Sequence, residues 1–179
     1  MLQLTRFTTV YEPMQDRLAL TGRDAGGHGV TIWLTQRFAL RLLPTLFAQL
    51  DRSGPAQAVR PNVSAVAPDA LRAQAVQAFR QQAARAQQPR LEPVRPHPDS
   101  HFELLATEAR LGRQGPGLRV LFLGAAGEAA ALVLLPLELR QWLDIVHRHW
   151  RNAEWPLTIW PAWIVTAAAP AAAGRGYAH

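Results

Sequence analysis

Twice in this chain a strand-like alternation runs without a break into a helix-like repeat. The first instance is "GVTIWLTQRFALRLL" over residues 29–43; the second is "AALVLLPLELRQWLD" over residues 130–144. In the first, Val30, Ile32 and Leu34 alternate with Thr31, Trp33 and Thr35, the period of two of a strand. Ala39, Leu42, Leu43, Leu46, Phe47 and Leu50 then recur at helical spacing. In the second, residues 129–135 are apolar on both faces, as suits a strand covered on both sides. Pro136 suits a first helical turn, and Leu139, Trp142, Leu143, Val146 and Trp150 form the stripe behind it. The stripes share one register: Ala39, Leu42, Leu43 and Leu46 answer to Leu139, Trp142, Leu143 and Val146. The pair is either an internal repeat or two layers that bury one another, and low residue identity leaves both open.

Around these phrases the pattern predicts further strands at 2–12, 16–21 and 118–123, with "HFELLATEARL" as another. "GRDAGGHG" reads as a hairpin turn, since a strand follows it and a phosphate loop would need a helix there. Thr35 is placed to cap the first helix. Pro44 lies within that helix and is expected to kink or interrupt it. Residues 52–67 read as a loop. Asp69 starts a helix to about Gln88, whose large apolar residues are Leu71, Val76 and Phe79 on an alanine stripe. "PRLEPVRPHPDS" is a proline-rich linker. The expected architecture is α+β: an antiparallel β-sheet or sandwich built from two strand-strand-strand-helix units, 2–51 and 101–150. The insert and linker at 52–100 lie between them, within a single domain at 1–165, and 166–179 form a disordered tail. Trp33 points away from Val30, Ile32 and Leu34, so it needs a separate cover, and the 69–88 helix is the expected one. Leu132 and Leu134 are expected in the core.

Composition excludes several chemistries. The 179 residues include 19 arginines and neither lysine nor cysteine. That removes Schiff-base lysines, phosphate-loop lysines, thiol nucleophiles and thiolate metal sites. The net charge of +6 permits anionic partners, although abundant Arg, Ala, Pro and Gly also fit a high-GC coding sequence. No apolar leader is visible at the N-terminus and no run approaches ~20 apolar residues, so no membrane association and a cytoplasmic setting are expected.

No constellation demands catalysis. Pro98 separates His97 from His101, and His147 and His149 diverge on a helix. Glu103 and Glu108, five apart on one strand, face opposite ways. Asp144 and Arg148 read as a surface pair at i, i+4. Catalytic residues, metal ligands and cofactors are therefore expected to be none. Tryptophan is the positive signal: Trp142, Trp150, Trp155, Trp160 and Trp163 fall close together. Either this tail straps back over the core, or Trp150, Trp155, Trp160 and Trp163 bind a partner, as tryptophan anchors interfaces. Base stacking beside arginines is a third reading.

"RFTTVYEP", then a strand, a glycine-bearing turn and "VTIWLT", resembles the start of the head domain of the eukaryotic non-homologous end-joining scaffold proteins. "HFELLATEARL", "LRVLFLG" and "EAAALVLLPLE" would be the later strands, so the resemblance covers residues 4 to about 146. It implies a β-sandwich head with a helical insert and a role in DNA repair. The family continues into a dimerising coiled-coil stalk, whereas here "EWPLTIWPAW" follows the helix. The expected function is a non-catalytic interaction or scaffold module in a larger complex, with a protein partner or self-association. The alternative is a nucleic-acid-binding accessory protein.

Overall fold

The computed structural model describes residues 2–52, 66–89, 92–94 and 101–168. Three strands open the chain: β1 (Leu2–Glu12), β2 (Arg17–Asp24) and β3 (Gly29–Thr35). Helix α1 (Gln36–Arg52) follows at once, and α2 (Val66–Ala86) comes next. Four more strands are β4 (His101–Leu105), β5 (Glu108–Gln114), β6 (Gly117–Leu123) and β7 (Ala129–Leu134). Helix α3 (Pro136–Asn152), a 3-10 turn (Leu157–Ile159) and α4 (Ala162–Ala168) complete the described chain.

The fold is mixed α+β; the first unit has the expected three strands and a helix, whereas the second has four strands before its helix. The sheet is not purely antiparallel and is not a sandwich. All seven strands form one sheet in the order β4-β3-β2-β1-β7-β6-β5. Within each unit the strands pair antiparallel. Between units they pair parallel, β3 with β4 and β1 with β7. The flanking strands of the first unit, β1 and β3, thus lie beside the last and the first strand of the second unit, β7 and β4. A chain read as two meanders hides this, because the parallel partners are far apart in sequence.

"HFELLATEARL" is two strands, and its break closes the sheet. The Ala106 N–H donates to the Trp33 carbonyl of β3, while the Thr107 N–H donates to the Leu123 carbonyl of β6. Three Cα steps separate Leu105 from Glu108, so the outermost strands come within about 11 Å there. The sheet therefore curls round on itself. The break also resets side-chain alternation: Glu103 pairs across from Thr31, and Glu108 from Leu123, so both carboxylates lie on the outer face rather than on opposite faces.

The inner face carries Leu18, Leu20, Ile32, Leu34, Val120 and Phe122, all buried, with Leu132 and Leu134 as expected. Each such side chain contributes about 1.5–3 kcal/mol. Helices α1 and α3 fill that face. Phe38 meets Phe122, Phe7 meets Trp142, and the Trp142 indole donates to Thr9 Oγ1 at 3.0 Å. Each helix has 17 residues. The shared register extends further than the stripes indicated: 39/139, 42/142, 43/143, 46/146, 47/147 and 50/150 are all buried.

Local chemistry sets the helix starts. Thr35 Oγ1 accepts the Phe38 N–H at 3.1 Å, the expected cap. At α3, the Glu138 carboxylate reaches back to the Leu135 N–H at 2.7 Å. Pro44 does not interrupt α1, which runs unbroken through it. Its ring lies on the exposed side, where the released Leu40 carbonyl faces water. "GRDAGGHG" is the expected turn: Gly27 sits at φ 84°, and the Asp24 carboxylate accepts the His28 N–H at 2.8 Å.

The expected cover for Trp33 is not found. Helix α2 packs against α3 and α4, on the helical side of the sheet. Trp33 lies half-buried on the outer face, its indole N–H donating to Glu103 of β4 at 3.1 Å. The Pro-rich stretch lies mostly outside the described residues, as do 169–179; residues 166–168 of the expected disordered tail are the end of α4.

Candidate interaction site

The seam between α2 and α3 departs furthest from ordinary core packing. Arg140, Asp144 and His147 fall at i, i+4 and i+7 on one face of α3, and all three are buried. Asp144 is 1 % exposed, which corrects its reading as half of a surface pair. Arg148 approaches it at 3.4 Å from the solvent side, but Arg85 of α2 approaches at 3.9 Å from above. From α2 come Gln77, Gln81 and Arg85, also on one helical face, and Gln88 follows just past its end. Gln81 Nε2 donates to the Arg140 carbonyl at 2.9 Å, and Arg140 donates to Gln77 Oε1. Gln141 donates to the Ala84 carbonyl at 3.1 Å, and Arg148 to Gln88 Oε1 at 2.9 Å.

The seam is only partly satisfied. Gln81 Oε1, Arg140 Nη1, both Asp144 oxygens, His147 Nδ1 and Trp160 Nε1 are buried without a hydrogen-bond partner among the described residues. Each such atom costs about 1–3 kcal/mol of desolvation. Burial, with Arg80 nearby, pulls the Arg140 pKa down to about 10, with Asp51 opposing. Burial, then Arg151, lowers the His147 pKa from its ordinary range, against the pull of Asp144. His149, half-buried beside Arg148, is lowered mainly by burial, while the Thr9 backbone opposes. Among the described residues, no group of three or more His, Asp and Glu side chains converges as a metal site would require.

The four tryptophans proposed for partner binding lie inside. Trp150 is fully buried, and Trp155, Trp160 and Trp163 are 6 % exposed each. Trp150 meets Trp155 edge-on at 4.8 Å and Trp160 at 5.7 Å. Phe47 packs on Trp160 and Trp163, and His147 on Trp160 at 4.8 Å. Two indole N–H groups are paired, Trp150 with the Pro156 carbonyl and Trp155 with Asp16. The proline-punctuated tail therefore straps back over α1 and α3, and none of these indoles offers its face to solvent. Arg140 lies 5.4 Å above the Trp163 ring, the only arginine stacked on an indole among the described residues.

The exposed apolar surface is elsewhere. Helix α2 turns Gln77 and Gln81 inward and Leu71, Val76 and Phe79 outward. Phe79 is 72 % exposed and Leu71 67 %, with Val76 beside them. Sequence periodicity placed these residues on one stripe with alanine, and the structure turns the three large ones outward. A cleft of about 420 Å³ also opens where β1 leaves β7 beyond Leu4, over a floor including Leu134 and Trp142. Its lip carries both signs, Arg6 and Arg148 with Glu92 and Glu138, so charge selects no ligand class. Among the described residues no helix is long and apolar enough to cross a membrane. Compared with models of known protein families, with curated proteins and with solved structures, the chain has no match in any of the three.

Proposed function

We propose that this chain is a non-catalytic protein-interaction module whose docking element is the outer face of α2. The observation that supports the reading is the inverted packing of that helix: Gln77 and Gln81 are buried while Leu71, Val76 and Phe79 face solvent. A surface helix normally buries its apolar stripe, and exposed aromatic and aliphatic groups on one element mark contact sites. The partner's chemistry follows from charge. Helix α2 holds three arginines, Arg72, Arg80 and Arg85, against one acidic residue, Asp69, on a chain of net charge +6, although Arg85 is turned toward Asp144 in the seam. The fitting partner presents an apolar stripe or groove rimmed by Asp and Glu.

Selection from a displayed library of amphipathic helices tests this. Enriched peptides should carry an apolar stripe flanked by carboxylates, and Phe79→Ser should weaken their binding about tenfold or more. Because the ring is exposed, thermal melting of that variant should not change. No enrichment over scrambled sequences, or binding indifferent to Phe79→Ser, overturns the proposal. Salt-sensitive binding of single-stranded DNA or RNA that Phe79→Ser abolishes would replace it with a nucleic-acid role.

A further inference from the structure

We infer that α2 is a releasable arm, which lifts off α3 and α4 while the curled sheet and its two inner helices stay folded. The inference does not depend on whether the outer face of α2 binds a partner. It rests on what holds the arm down. Between Gln77 and Gln88 the inward residues are Gln77, Ala78, Gln81, Ala84, Arg85 and Gln88, so alanine supplies the apolar contact from this side. Leu71, Val76 and Phe79 of α2 face solvent already, and lifting the helix does not newly expose them.

The seam also favours release. Gln81 Oε1, Arg140 Nη1 and Asp144 Oδ1 have no hydrogen-bond partner among the described residues while α2 is seated, and water reaches them once it lifts. Against this stand the side-chain bonds across the seam, the bond from Gln77 Nε2 to Asp51 Oδ1 of α1 at 3.1 Å, the approach of Arg85 to Asp144 at 3.9 Å and the bond from Arg85 to the Ala167 carbonyl at 2.9 Å. Trp163, which α4 places near the arm, keeps Phe47 on another side. The pseudo-equivalent helix shows that the inner layer does not need such a cover. Leu40 and Pro44 of α1 stand at the positions of Arg140 and Asp144, and both are open to solvent. Release therefore uncovers a second surface, with Arg140 over Trp163 beside Asp144, and provides a two-state element on which a partner or modification can act.

Native-state hydrogen exchange on the full chain tests the arm. Amides of α2 should exchange through a local opening at least about 100-fold faster than those of α3 and β7. Replacing one polar pair by leucines, Gln77→Leu with Arg140→Leu, should slow α2 exchange about tenfold or more and leave β7 unchanged. If wild-type α2 amides exchange only in the global step shared with β7, the arm does not open separately. If the leucine pair leaves α2 exchange as fast or makes it faster, the seam is not what loosens it. The wild-type measurement stands alone should the double variant fold poorly.

Discussion

His147 occupies the place in α3 that Phe47 occupies in α1, and both are buried against Trp160. An imidazole there must stay neutral to stay buried. Burial and Arg151 lower its pKa, so below about pH 6.5 the unfolded chain binds a proton that the folded chain resists. Protons bound preferentially by the unfolded state make stability rise with pH. The contribution is thus fully present above pH 6.5 and is lost as the solution is acidified toward the folded-state pKa. His149, lowered by burial, acts in the same direction. Denaturant unfolding at pH 7.5 and 5.5 should show a loss of stability on acidification, and His147→Phe should make that loss smaller. An identical loss in both proteins would assign the acid sensitivity to other groups. Neither this nor the burial of Asp144 was legible in the sequence. The i, i+4 spacing of Asp144 and Arg148 is the same on a surface and in a seam, and the covering helix comes from some sixty residues upstream.

At the scale of elements, α1 and α3 were legible to within two residues because one face of each is driven into the sheet by its own large side chains. Helix α2 was legible as a helix but not in orientation. Its alanine stripe carries little preference, and Arg140 of α3 bonds Gln77 and Gln81 instead, while Gln141 and Arg148 hold Gln88 just past its end. Pro44 gives the element-scale test. It sits inside α1, costs the bond its nitrogen would have made to Leu40, and lies exposed. A proline in a helix interior is less favourable than alanine by roughly 3 kcal/mol. Because α1 already runs through it, Pro44→Ala should stabilise the protein by about 1–3 kcal/mol in urea unfolding. Unchanged or lowered stability would mean that the ring makes a contact that offsets its backbone cost.

At the scale of the molecule, the two units interlock rather than stack. Each contributes an antiparallel meander of three strands and a helix; β1 pairs in parallel with β7, the last strand of the second unit, and β3 with β4, its first. The meanders were legible from alternation; the parallel junctions were not, because nothing local in Leu2–Leu4 or His101–Leu105 names a distant partner. The joint that makes closure possible is Ala106–Thr107, where consecutive N–H groups bond to β3 and β6. Strand alternation makes this joint intolerant of length. One extra residue between Ala106 and Thr107 forces either β4 or β5 to slip by one, turning inward side chains such as Leu104 or Leu111 to the outer face. A single glycine inserted there should cost at least about 2 kcal/mol, the burial of one such side chain. The same insertion between Ala125 and Ala126, in the β6–β7 turn, only lengthens a loop and should cost less than about 1 kcal/mol. Equal costs at the two places would show that β4 and β5 are independent edges, and that the sheet holds its curl without the joint between them.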